Sequence, residues 1–337
     1  MSTPEENKKS EPLRTAHGAL YHENDITKCE YVNHIGLMFI CDELFQKNGV
    51  LIKQSNAANE YSLLGNSTKR PKSILVNSED LLFFIKIRLP VINKKFILVT
   101  AGNMPDLIMP FEVLTKEQTR ILLNNKFLVK WYVQNLLFIH KKMDNWPIGF
   151  SFNLIREGRT YETSAVSQEL YLKSIISEML PFYMRVADPE KDPLIYVNMS
   201  MRNSRLESRW GCFNAIYLND PSLLIDIDTI LPKLETGTET PRDEVWVKTS
   251  KSPFCLSPFG YGIDCHRTYE ILALGAIPII RGRILHRLYT DMPVLYVEKW
   301  EDVTRSLLIK TLKDFSTRKF DYSRLKIKYW SELLRSF

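Results

Sequence analysis

The stretch SPFCLSPFGYGIDCHRTYEILALGAIPII, Ser252 to Ile280, limits the possible folds more than any other part of this chain. FCLS has the apolar character of a buried strand, PFGYGID carries Gly260 and Gly262 in a tight turn, and Asp264 is placed to cap a helix running to about Leu274. Gly275 then stops that helix, and IPII reads as the next parallel strand. A strand, glycine loop, helix and strand in this order form one unit of an open α/β sheet.

Such a loop brings unpaired backbone N–H groups and the positive end of a helix dipole to the carboxyl end of the sheet, where anions bind in this class of fold. His266 and Arg267, in the first helical turn, add charge toward a diphosphate, and Glu270 can accept hydrogen bonds from both hydroxyls of a ribose. The same residues admit a plainer reading: glycines that only shape a turn, a solvated His266 and Arg267, and a Glu270 paired with a nearby arginine.

Upstream, short apolar runs alternate with amphipathic segments: HIGLMFI, SILVN, LLFFIKIRLPVI, KFILVT and WYVQNLLFI. Runs of this length point to buried strands of an α/β domain. The polar ADPEKDP, Ala187 to Pro193, marks a boundary, after which the pattern restarts with LIYVNMS. A helix is predicted from about Asn203 to Tyr217, then the run LLIDIDTI, a short helix ILHRLYTD after IPII, the strand PVLYV, and two amphipathic helices from about Glu301. The expected division is a flexible tail over 1–12, an N-terminal Rossmann-like domain over 13–186, a C-terminal one over 187–300, and terminal helices over 301–337 packing on both.

With 337 residues, 45% of them hydrophobic and 25% charged, the chain has material for two cores and is neither disordered nor low-complexity. A net charge of +6 is too thin over this length to mark a nucleic-acid binder and suits a small anionic ligand. Cys29, Cys41, Cys212, Cys255 and Cys265 form no CxxC pair, which predicts neither a disulfide framework nor a zinc cluster. The polar start MSTPEENKKSEP has no apolar region of a signal peptide, and no apolar run approaches the roughly 20 residues of a membrane span. The expectation is a soluble, cytoplasmic protein, in which the sequons at Asn66 and Asn198 are chance matches.

The segment from Ser252 to Ile280 resembles the C-terminal signature of the exostosin-like glycosyltransferases, in which a strand ends in Ser-Pro-x-Gly-x-Gly and the next helix carries an Arg and a Glu before a Leu-Gly-x-Ile-Pro strand. SEDLLFFIKIRLPVINKKFILVTAGNMPD, KWYVQNLLFIHKKMDNWPIGF and LIYVNMSMRNSRLESR resemble further parts of that pattern, in order, from about Ser73 to Trp300. The resemblance implies a GT-B architecture, two Rossmann-like domains facing across a cleft. It implies a nucleotide-sugar donor, a UDP-sugar, on the C-terminal domain, a glycan acceptor on the N-terminal one, inversion at the anomeric carbon, and no required metal or other cofactor. Carried over by position, Ser257, Gly260, Tyr261, Gly262, Asp264, His266 and Arg267 would line the diphosphate and Glu270 would hold the ribose. Arg202, directly after a strand end, is a further donor contact, whereas Arg205 and Arg209 read as a solvated helix face. Asn103, Gln134 and Asn135 fall on the acceptor side, and Trp131 reads as core. The absence of an anchor resembles the free-standing forms of bacteria and large DNA viruses.

An inverting transferase needs a base for the acceptor hydroxyl's proton. Asp106, in the loop GNMPD past KFILVT, sits where strand ends face a cleft, and it can equally cap the turn that follows. Three other readings compete. Asp226 and Asp228 have the DxD spacing of metal-dependent transferases, although a strand alternating buried Ile with exposed Asp explains them more simply. A non-catalytic glycan- or nucleotide-binding module would keep the scaffold without turnover. A nucleic-acid surface on TRKFDYSRLKIKYW is disfavoured, because its aromatics at helical spacing suit packing onto the domains.

Overall fold

The computed structural model describes residues 28–45, 70–101, 110–152, 165–202, 205–238 and 240–337, together with two short antiparallel pairs, Leu13–Arg14 with Leu20–Tyr21 and Ile155–Arg156 with Arg159–Thr160. Two parallel sheets organise them. The first holds β1 (Glu43–Phe45), β2 (Lys72–Asn77), β3 (Phe96–Ala101), β4 (Leu128–Gln134) and β5 (Met143–Trp146) in that order. The second holds β6 (Ile195–Tyr196), β7 (Phe254–Leu256), β8 (Ile277–Arg281) and β9 (Leu295–Val297), again in chain order. The α/β class with two parallel-sheet halves is as expected. Their strands are near-continuous apolar runs because helices cover both faces, and β3 is buried at every residue but Ala101.

The principal helices are α1 (His34–Phe39), α2 (Lys116–Asn124), α3 (Ala165–Glu178), α4 (Arg209–Asn219), α5 (Ile227–Thr236), α6 (Arg242–Lys251), α7 (His266–Ala273), α8 (Arg305–Ser316) and α9 (Ile327–Arg335). Two runs expected as strands are helical. HIGLMFI forms α1, started by Asn33, whose side chain accepts a hydrogen bond from the Gly36 N–H. LLFFIKIRLPVI lies mostly in a helical stretch over 78–91, with Leu81, Phe84 and Leu89 buried while Ile87 and Val91 face water. Apolar residues outnumber the positions a helix can bury, so the run mimics a strand.

Three further expectations shift. LLIDIDTI contributes only a bridge between Leu224 and Ile195; Asp226 then adopts φ +51° and opens α5. Asp tolerates that left-handed conformation better than most residues. ILHRLYTD is a run of tight turns, with hydrogen bonds such as Leu288 N–H to Leu285 O. The helix expected from about Asn203 begins at Arg209, where the Ser208 hydroxyl accepts from the Gly211 N–H.

The two halves share a core. One apolar cluster takes in Tyr132 and Trp146 of the first sheet, Tyr269 and Tyr289 of the second half, and Leu325, Ile327, Trp330 and Leu334 near the carboxyl terminus. The terminal segment crosses back to the first half: Val32 N–H donates to Leu325 O and Ile327 N–H to Glu30 O, while the Trp330 ring meets Trp146 edge-on at 5.5 Å. Helix α8 stays behind, with Leu308 and Leu312 in the core of the second sheet. Trp330 is buried in this seam, so Trp330→Ala should lower the unfolding free energy by about 3–5 kcal/mol, read from urea denaturation.

Candidate functional site

The unit singled out in the sequence forms β7, a loop over 257–265, α7 and β8. Gly275 takes φ +66° just past the helix; its N–H donates to Leu272 O and that of Ala276 to Ile271 O, the double closure of a Schellman motif. A side chain there would also strike Arg185, whose guanidinium donates to the carbonyls of Leu180, Ser252 and Leu274.

The residue before the helix is Cys265, not Asp264, and it makes no side-chain cap. The Asp264 carboxylate is instead 1% exposed and accepts from Tyr269 Oη at 2.8 Å, Tyr289 Oη at 2.5 Å and the Ile148 N–H at 2.8 Å. Its own N–H donates to Asn135 Oδ1. Asn135 holds φ +59° directly after β4, and a side chain on Gly262 would come within 2.6 Å of that amide, so Gly262 is required for close approach. Asp264, expected at the diphosphate, thus fastens the two halves together. Burial raises its pKa to about 6 despite its donors.

His266 belongs to the same seam. Its Nδ1 lies 2.7 Å from Gly149 O, and burial pushes the imidazole pKa down to about 4. The ring is therefore neutral near pH 7 and donates Nδ1–H to the carbonyl, so it adds no charge toward a diphosphate. Ser257 is buried and hydrogen-bonds Thr268; Gly260 N–H donates to Gly262 O; Tyr261 is exposed.

Arg267 and Glu270 do converge. Together with Ile271 they present one face of α7 to a cavity of about 60 Å³ at the carboxyl ends of β6 and β7, where Tyr196, Asn198 and Thr249 also contribute. Neither charged group makes a hydrogen bond or an ion pair among the described residues. Burial first, and then the neighbouring Arg209, bring the Arg267 pKa down to about 10, which leaves it a cation at neutral pH. A desolvated guanidinium that feels the Glu270 charge but forms no ion pair with it keeps donors available for an anion. Asn198, two residues past β6, also lines this cavity, and its strand-end position is the sequence signal for it.

The other candidates are dispersed. Arg202 is exposed and lies against Gly237 at the end of α5. Arg205, read as solvated, pairs with Glu112 of the first half, and Arg209, read likewise, is buried with its guanidinium on Phe259 O and Ser200 O. Glu207 beside them accepts from the Phe259 N–H and Trp300 Nε1–H and pairs with Arg281. Gln134 and Asn135 are buried at the end of β4, and Trp131 is core with Nε1–H on Thr100 Oγ1. Asn103 and Asp106 lie outside the described residues. Asp226 pairs with Lys248 at 3.4 Å, and among the described residues no group of three or more His, Cys, Asp or Glu could hold a metal ion. No described helix is long and apolar enough to cross a membrane.

No protein-family model and no curated protein matches the chain. Among solved structures, it is similar to an apo structure of OtsA, at 11% identity over 79% of this chain and 72% of that one, with a TM-score of 0.41. A structure described as trehalose-6-phosphate from E. coli bound with UDP-2-fluoro glucose is similar at 12% identity over 99% of this chain and 90% of that one, with a TM-score of 0.40. An alpha,alpha-trehalose-phosphate synthase (UDP-forming) from Burkholderia vietnamiensis gives 11% identity, 79% and 67% coverage, and a TM-score of 0.34. Likenesses this distant decide neither activity nor substrate.

Asp264 and His266 oppose each other in pH. Asp264 holds its proton more tightly in the fold than in the unfolded chain, so its contribution is full below about pH 4 and is lost as pH rises through about 6. His266 binds its proton less tightly in the fold, so its contribution is full above about pH 6.5 and is lost as pH falls toward about 4. Thermal melts between pH 4 and 7 should show His266→Gln gaining Tm relative to the parent as pH falls, and Asp264→Asn losing it.

Proposed function

We propose that this chain is a glycosyltransferase that takes a sugar from a nucleoside-diphosphate donor, a UDP-sugar, and moves it to a hydroxyl of a glycan. The observation that carries the reading is the pairing, on one face of α7, of an unpartnered guanidinium at Arg267 with a free carboxylate at Glu270, both opening on the carboxyl end of a parallel sheet. Arg267 answers the diphosphate and Glu270 the two ribose hydroxyls, with Asn198 and Tyr196 beside them. The cavity is smaller than a nucleotide, so the donor enters by moving the side chains around it. Gly260 and Tyr261 lie on the loop that leads into α7, and Arg202 is the first exposed cation after the end of β6.

The order of motifs resembling the exostosin-like glycosyltransferases supports the same reading and extends it. The acceptor oxygen attacks the anomeric carbon from the face opposite the diphosphate, the bond to the diphosphate oxygen breaks, and Asp106 takes the hydroxyl proton. Inversion follows from that geometry, and charge on the departing diphosphate is offset by Arg267 and the start of α7, with no metal required. Asn103, Gln134 and Asn135 stand on the acceptor side.

In thermal melts with EDTA present, UDP should raise the Tm, and Glu270→Ala should weaken that response about tenfold. Arg267→Met should abolish it while stabilising the unliganded protein by about 1 kcal/mol, because a buried cation that forms no ion pair is removed. The opposite signs separate a binding role from a structural one; a Tm that falls in Arg267→Met without UDP would reject the assignment. Asp106→Asn should keep the response to UDP and lose sugar transfer from a radiolabelled UDP-sugar, and full turnover in that variant would remove Asp106 as the base.

A further inference from the structure

A second cavity, of about 250 Å³, shares no lining residue with the first. Four separate stretches build it: Tyr132 from β4, Asp144 and Asn145 from β5, Arg287 from the turns after β8, and Arg324 and Tyr329 from the terminal segment and α9.

Two observations define what it can hold. Asn145 is 5% exposed, lines this cavity, and its side-chain oxygen has no hydrogen-bond partner among the described residues. A dry acceptor is costly, so the site suits a molecule that donates an O–H or N–H. The guanidinium of Arg324 lies 4.8 Å from the centre of the Tyr329 ring and has no carboxylate partner among the described residues. Arg287 comes no nearer than 3.7 Å to Asp144, whose carboxylate also serves Lys130 at 3.4 Å. Positive charge therefore exceeds negative around the cavity, and a ligand here carries an anionic group as well as a donor.

We propose that this cavity binds a small hydroxylated anion, a sugar or polyol bearing one phosphate or carboxylate, with Arg287 and Arg324 taking the anionic group and Asn145 accepting from a hydroxyl. Sulfate would answer the arginines and leave Asn145 unpaired; a neutral sugar would do the reverse. Arg287 shares its run of turns with Tyr289, whose hydroxyl holds Asp264, so a ligand joining Arg287 to Asn145 adds a tie between the halves.

The test is scanning fluorimetry on the full chain with ribose 5-phosphate, glucuronate, neutral glucose and sulfate at matched ionic strength. One or both of the hydroxylated anions should raise the Tm by about 2 °C or more at roughly 10 mM, above the effect of glucose or sulfate. A response to ribose 5-phosphate alone identifies a phosphate ligand, and one to glucuronate alone a carboxylate. Arg324→Gln should weaken the response about tenfold, and the exposed Arg287→Gln gives the same reading should the first variant fail to fold. Glu270→Ala should leave it intact. The proposal is overturned if neither anion exceeds glucose and sulfate, if the arginine variants respond like the parent, or if Glu270→Ala loses the response.

Discussion

The carboxylate of Asp264 has left water without any cation to meet it, and neutral donors from three stretches of chain hold it instead: a phenol on α7, a phenol on the turns after β8, and a peptide N–H just beyond β5. Donors of this kind are worth far more in a dry seam than at the surface, and each one lost leaves a polar group stranded. The halves of the molecule are registered against each other at this residue, and much of the neighbouring backbone makes sense only as accommodation to it. Gly149, with φ +71°, lets the link after β5 pass so close to Val32 that any side chain would strike its carbonyl, and the carbonyl of Gly149 is what His266 finds on the other side.

Helix α7 therefore has two allegiances set by its own periodicity. His266 and Tyr269, three apart, face the first half and are spent on holding it. Arg267, Glu270 and Ile271 face the cavity at the strand ends. A helix pinned along one side presents the charged groups of the other with little freedom, and that is the preorganisation an anion site needs.

Much of this was legible in the residues. The strand, glycine loop, helix and strand appear where the sequence places them, with Gly275 as the stop, because each transition there has a local chemical cause. Arg267 and Glu270 were found for the same reason: helical spacing fixes which side chains share a face. What was not legible depends on contacts distant in sequence. Asp264 precedes a helix and looks like a cap; only the positions of Tyr289 and Ile148 reveal a fastener between halves. The imidazole of His266 reads as a charge until its burial against Gly149 is known. The run LLFFIKIRLPVI carries too many apolar residues for its period to distinguish helix from strand, and Arg205, which reads as solvated, meets its partner Glu112 across 93 positions of chain.

The crossing of the terminal segment has a consequence for how the molecule is made. The bridge between Tyr31 and Lys326, and the wedge of Trp330 against Trp146, mean that the first half receives part of its apolar cover from residues that follow the whole second sheet in sequence. Until then the apolar face around Tyr132 and Trp146 lacks the side chains of Trp330 and Leu334 that complete its cluster. The first half therefore completes its packing only after the second has been synthesised, so the two halves cannot mature strictly one after the other.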